Sequence, residues 1–347
     1  MPERQELENF IGREQEIALY REWLADPASP WILYFYDALT APEKKGGIGK
    51  TWLLRRCISL TREAHQDITI VGIDFFNVDD RQGIFIARKV IEQLRDTFPQ
   101  WSPDTSLELF RGYSGNVEEN SDNAAFRSRM SAALTADLHT LENHLQREGR
   151  YLLLFFDTFE LIEKNPIIAS LDLSHAFPDN YQFQHIGAVI AGRNAIDWNQ
   201  SNWHGREAEV KSVALAPFSF NEMILYLNSD VRTSDILKTD IRESKALYER
   251  TEGRPILLGL LTDVLFHQAT NLDELLSIPP GTFEARLVAK INDLANPINW
   301  IILFMAHAYH RFNITLLDWM LQEANLRILV PTGEYQKVLE DLLTLSF

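Results

Sequence analysis

Short apolar runs alternate along the first 220 residues with longer stretches whose apolar positions recur every three to four residues. An apolar run of about six residues bounded by turn formers fits a strand covered on both faces. Trp31 to Tyr36, Ile68 to Phe76, Tyr151 to Phe156, Ile186 to Ala191 and Val210 to Leu215 are such runs, the last closed by Pro217. Between them, Lys50 to Glu63 places Leu53, Leu54, Cys57 and Ile58 on one helical face. Ile84 to Phe98 and Ala124 to Gln146 also read as helices, and Gly149 stops the second. This alternation predicts an α/β domain with a parallel five-stranded sheet flanked by helices. The polar stretch from Pro99 to Asn123 reads as a surface loop.

Beyond Pro217 the strand pattern ceases. Asn221 to Leu227, Ile241 to Glu252, Pro255 to His267 and Leu272 to Leu276 read as helices of a small helical domain. Ile301 to His310, Thr315 to Glu323 and Tyr335 to Leu345 then give a three-helix pattern, a winged helix that runs out at Phe347 ahead of a wing hairpin. The expected division is 1–218, 219–294 and 295–347, the last an incomplete winged helix.

The chemistry concentrates where the first strand meets its helix. Gly46-Gly47-Ile48-Gly49-Lys50-Thr51-Trp52 is the second half of a phosphate cradle. Glycines let consecutive backbone N–H groups converge on an anion, and the following helix aims its positive end at the same point. Lys50 is expected on the β- and γ-phosphates and the Thr51 hydroxyl on Mg²⁺. The full pattern opens on a glycine; here Lys44 holds that place.

A buried strand ending in a carboxylate should stand nearby, and Leu152 to Phe156 leading into Asp157 fits. Asp157 is expected to hold Mg²⁺ through a water, with Glu160 orienting or deprotonating the attacking water. The slot directly after the aspartate is Thr158. Arg193, after the fourth strand, falls at the sheet edge where ligands bind and is the candidate γ-phosphate sensor. Arg13 sits near a helix N-terminus, which disfavours a cation and hints at an anionic partner. That helix has Ile17, Tyr20 and Leu24 on its inner face, and Gly12 would let the backbone approach a planar base. Pro255 follows Gly253-Arg254 at a helix start, where proline needs no special function.

Composition narrows the setting. Of 347 residues 46% are hydrophobic and 24% charged, ordinary for a globular protein. The net charge of −16 argues against a nucleic-acid binder. The single cysteine, Cys57, excludes an internal disulfide and reads as a small core residue. No signal peptide or membrane-spanning run is visible, so a cytoplasmic protein is expected. His307 and His310 lack the acids or cysteines of a metal site.

The order of these motifs resembles the STAND class of P-loop NTPases, which includes the NB-ARC and NACHT groups. The features that carry it are Phe10-Ile11-Gly12-Arg13-Glu14, Gly46 to Thr51, Asp157 to Glu160, Gly192-Arg193 and Gly253-Arg254-Pro255. The resemblance implies an ADP/ATP-Mg²⁺ module that homo-oligomerises when ATP-bound and answers to C-terminal sensor or effector regions. It makes Ile11 and Pro255 base-pocket candidates and Arg193 the sensor.

Three functions remain to be separated: a nucleotide switch with slow hydrolysis, a winged-helix transcription regulator, and a constitutive ATPase. From Pro297 to Phe347 three basic residues face five acidic ones, which speaks against the second.

Overall fold

The computed structural model describes residues 10–26, 28–41, 44–74, 91–92, 94–112, 124–160, 185–199, 203–229, 241–266 and 271–294. The chain divides into two compact units, Met1–Ala216 and Pro217–Phe347. The expected winged helix at 295–347, with His307 and His310, lies outside the described residues, as do residues 84–90 of the expected second helix.

The first unit is built on β1 (Ile32–Asp37), β2 (Ile68–Asp74), β3 (Tyr151–Asp157), β4 (Ile186–Ala191) and β5 (Val210–Leu215). All pairings are parallel, in the order β2-β3-β4-β1-β5. With α1 (Glu14–Ala25), α2 (Lys50–Ala64), α3 (Asp104–Gly112) and α4 (Ala124–Glu148) around it, this is the P-loop NTPase fold. The strands are apolar throughout because both faces are covered. Leu152, Leu154 and Phe156 enter one core with Leu138, Leu141 and Leu145 of α4. The alternate residues Leu153 and Phe155 enter a second core with Tyr20 and Trp23 of α1 and Leu53, Leu54 and Cys57 of α2. Period-two alternation thus sorts one continuous apolar run into two layers.

The placement of β1 decides where chemistry happens. It lies between β4 and β5, while the chain leaving it returns at the far edge as β2. In open parallel sheets, ligands bind outside the carboxyl ends of the strands where the strand order reverses. Asp37, Asp157, Arg193 and the glycine loop all fall on that edge.

The stretch from Pro99 to Asn123 is corrected in part, since it contains α3. Ser106, in the first turn of α3, donates its N–H to the buried carboxylate of Asp137, 2.7 Å away on α4. A cap supplied from 31 residues away leaves no local signature.

The described part of the second unit contains α5 (Phe220–Ser229), α6 (Ile241–Thr251), α7 (Pro255–Phe266), α8 (Leu272–Ser277) and α9 (Pro280–Leu294). α7 is apolar nearly all round and buried as the centre of the unit, with Leu257, Leu258, Leu261 and Val264 among the other helices. Reading from sequence missed α9, whose Pro279-Pro280-Gly281 opening looks like a loop. Proline suits the first helical turn, and Phe283 and Leu287, one turn apart, are fully buried. Among the described residues no helix is long and apolar enough to cross a membrane.

Gly253 is held at φ 66°, and a Cβ there would stand 2.0 Å from the Phe218 carbonyl oxygen. Its own carbonyl accepts the Phe218 N–H at 2.8 Å. Gly253→Ala should therefore cost the second unit about 3 kcal/mol. Urea unfolding followed by a probe in that unit measures it, and a loss below about 0.5 kcal/mol would contradict the geometry.

Candidate nucleotide site

The loop after β1 is fixed from below by Asp37, the last residue of the strand. Its buried carboxylate accepts the N–H of Leu39 at 2.9 Å and that of Gly46 at 2.8 Å. One side chain thereby joins the exit from the strand to the start of the glycine turn. Gly46, Gly47 and Gly49 all take positive φ, of 103°, 64° and 88°, which only glycine adopts freely. Lys44 does not: among the described residues the non-glycine positive φ values belong to Arg13, Thr158 and Glu252. The position where the full pattern has glycine thus accepts a lysine without backbone strain. Lys45 is anchored by its ammonium to the Asn194 side-chain oxygen at 2.7 Å. Ile48 turns its side chain into the core beneath the loop.

Lys50 and Thr51 open α2, whose N-cap residue is Gly49. The Thr51 hydroxyl hydrogen-bonds the Asp157 carboxylate at the tip of β3. Asp157 also accepts the N–H of Thr158 at 2.8 Å. Thr158 itself stands at φ 58°, a strained value for a β-branched residue. Its hydroxyl donates to Asp74 at 2.7 Å. Asp74 is directly opposite Asp157 in the β2–β3 register. Sequence reading passed over both Asp37 and Asp74. The signal for each was the same as for Asp157, a strand ending in aspartate.

The kink at Thr158 carries the chain back toward β4, where the Phe159 N–H reaches the Ala191 carbonyl at 3.0 Å. Glu160 then meets Arg193, with 3.4 Å between Oε1 and Nε. Its other oxygen, Oε2, is buried without a hydrogen-bond partner. Arg193 is half-exposed and lies over Gly46, where a Cβ would sit 3.6 Å from the guanidinium. Gly192 seats that arginine: a Cβ there would be 2.2 Å from the Tyr34 hydroxyl, which donates to the Asn194 carbonyl. Lys50, Thr51, Asp157, Glu160 and Arg193 are therefore brought to one edge.

Other candidates have different surroundings. Arg13, only 3% exposed, finds its acceptors inside the chain. It reaches the Ile48 carbonyl at 2.7 Å, the Ala216 carbonyl at 2.6 Å and Glu16 at 3.1 Å. These groups, the Glu16 carboxylate among them, meet the charge within the chain. Gly12 stands at φ 74°, while Phe10 and Ile11 are half-buried. Trp52 is exposed just after Thr51, with the Arg55 guanidinium 5.1 Å from its ring centroid. Pro255 lies in the second unit, at the start of α7, where Arg254 pairs with Glu284 at 2.6 Å.

Among the described residues no group of three His, Cys, Asp or Glu side chains could hold a metal on its own. Mg²⁺ needs no such cage, since it is commonly held by one carboxylate, a hydroxyl, waters and substrate phosphates. The Thr51–Asp157 pair supplies that hard-oxygen set, so the residues present fit the ion.

No protein-family model and no curated protein matches the chain. Among solved structures, the ADP form of the ORC2 protein of Aeropyrum pernix is 16% identical at a TM-score of 0.44, covering 96% of this chain and 87% of that one. A Walker-type ATPase of Pyrococcus abyssi is 13% identical at 0.43, covering 97% and 90%. The ORC1 protein of Aeropyrum pernix in complex with DNA is 13% identical at 0.40, covering 96% and 83%. Similarity this remote carries nothing about activity or partners.

Two of the charges at this edge are held at a cost. Burial pushes the Asp157 carboxyl above the usual carboxylate range, against the Thr51 hydrogen bond, and the facing Asp74 adds to the rise. Burial pushes the Lys50 ammonium below its usual range, opposed most by Asp37. A raised acid costs the fold most above its folded pKa, and that cost fades as pH falls from there to the unfolded pKa. For Lys50 the cost is present below its folded pKa and fades as pH rises. Asp157→Asn should then stabilise the ligand-free chain at pH 7 by on the order of 1 kcal/mol. The gain should shrink as pH drops into the carboxylate range. Thermal unfolding across that pH series checks it, and a variant less stable at every pH would show that the carboxylate's hydrogen bonds outweigh its burial.

Proposed function

We propose that this chain is a nucleotide-controlled switch that binds ADP or ATP with Mg²⁺ and hydrolyses ATP slowly. The observation that carries it is the Glu160–Arg193 ion pair, set beside Gly46 at the mouth of the glycine loop. Backbone N–H groups of the loop would receive the β-phosphate, with Lys50 over the β- and γ-phosphates. Mg²⁺, held through Thr51 and Asp157, would neutralise charge developing on the phosphates.

Arg193 and Glu160 then act as one element with two arrangements. With ADP the guanidinium has no γ-phosphate to meet and stays on Glu160. With ATP a doubly charged acceptor competes for it, and Glu160 is released to orient a water. Only a ligand that distinguishes the two arrangements shifts their balance, and the γ-phosphate is the group that does so. Engaging Glu160 in that pair also supports slow rather than motor-like turnover. The STAND-like reading extends this to an ATP-bound homo-oligomer controlled through C-terminal sensor or effector regions, with Phe10, Ile11, Gly12 and Trp52 about the base and ribose. Division into domains at 218/219 and 294/295 belongs to the same reading.

The purified chain, denatured and assayed for released nucleotide, is expected to yield ADP or ATP, and the emptied chain to bind both. Lys50→Ala should weaken binding at least tenfold, since it removes a charge-assisted contact of about 1.5–3 kcal/mol. Glu160→Gln should bind ATP at least as tightly as the natural chain does, since Arg193 no longer leaves a carboxylate, and lose turnover about 100-fold. A natural chain with no bound nucleotide and no binding on titration would end this reading. Fast turnover with ATP alone would favour a constitutive ATPase, and salt-dependent duplex binding a DNA-binding regulator.

A further inference from the structure

We infer that Arg13 couples the phosphate loop to the chain junction at Ala216, where the first unit hands over to the second. The inference rests on the nucleotide reading for its ligand and on geometry for the tie itself. Arg13 is a buried arginine in a left-handed conformation at φ 65°, serving as the N-cap residue of α1. Its carbonyl accepts the Ile17 N–H at 2.8 Å, so the first turn of α1 fixes where the side chain starts. One terminal nitrogen, Nη2, donates to the Ile48 carbonyl at 2.7 Å, and the other, Nη1, to the Ala216 carbonyl at 2.6 Å. Glu16 pairs with Nη1 at 3.1 Å and compensates the buried charge. The guanidinium is planar and rigid, so the two carbonyls are held at a fixed separation.

What makes the Ile48 contact more than packing is the peptide it belongs to. The Ile48 carbonyl and the Gly49 N–H are parts of one planar trans peptide and point in opposite directions. Holding the oxygen on Arg13 therefore aims the Gly49 N–H the other way, at the head of α2. An anion bound by that N–H polarises the peptide and makes the Ile48 oxygen a stronger acceptor. The tightened contact is transmitted through the same guanidinium to Ala216, the residue before Pro217. By reciprocity, any change that pulls the Ala216 carbonyl away changes affinity at the loop by the same factor. Lysine cannot replace this arrangement, because a single ammonium does not offer two fixed, divergent donors.

Hydrogen exchange on the full chain tests the coupling, reading residues 44–52 for the loop and 211–216 for the junction, with β3 as the control for global stability. In the natural chain saturating ADP with Mg²⁺ should slow exchange in both segments. In Arg13→Lys, at ADP raised to saturation, the loop should still slow and the junction should not. Equal slowing of the junction in Arg13→Lys overturns the coupling, as does a natural chain in which ADP slows the loop alone. A ligand-free comparison separates this from the nucleotide reading. Without ADP, Arg13→Lys should exchange about tenfold faster in both segments while β3 is unchanged. Acceleration in one segment only, or in neither, removes the tie whether or not nucleotide binds. Should Arg13→Lys fail to fold, Arg13→Gln provides the same comparison with one donor group retained.

Discussion

The glycine turn holds its shape because a carboxylate at the end of β1 receives it. Asp37 is buried, and its two oxygens take the N–H groups of Leu39 and Gly46. Without those bonds, the stretch between strand and helix would leave backbone donors unsatisfied beside an apolar core. Arg193 lies over the residue that Asp37 fixes, Lys45 reaches the loop that carries Arg193, and Arg13 holds the other end of the turn at Ile48. The loop is thus clamped from three directions before any ligand arrives. Such preorganisation removes part of the ordering cost of binding a small anion.

The strands were legible because the sheet is parallel and covered on both faces. Ile186–Ala191 and Val210–Leu215 begin and end where the apolar runs do. The helices with a wide apolar face, Lys50–Ala64 and Ala124–Glu148, were legible to within two residues at each end. What escaped was everything decided by distant contact. α3 depends on Asp137 for a cap, and α9 hides behind two prolines and a glycine. The site followed the same division. Lys50, Asp157 and Arg193 sit at strand ends and helix starts that sequence marks out. The partners that define their environment, Asp37, Asp74 and the carbonyls around Arg13, are set by which strands become neighbours.

Charge burial and strain share the edge where the strands end. Burial disfavours the charged forms of Asp157 and Lys50, and Thr158 occupies a backbone region that β-branched residues avoid. Both effects cost stability at this edge. Strained and buried polar groups persist only where the surrounding structure over-determines them, and here two packed cores do so.

The burial of Cys57 beneath the glycine loop has a practical side. It is the chain's one thiol, fully buried on the inner face of α2, and burial pushes its ionisation upward, away from the reactive thiolate. Alkylating dyes and spin labels added to the folded protein will therefore find almost nothing to react with. A cysteine introduced on any exposed position becomes a site-specific handle against a silent background. The natural sequence is in effect already a cysteine-free surface, ready for distance measurements along the chain without first removing a residue.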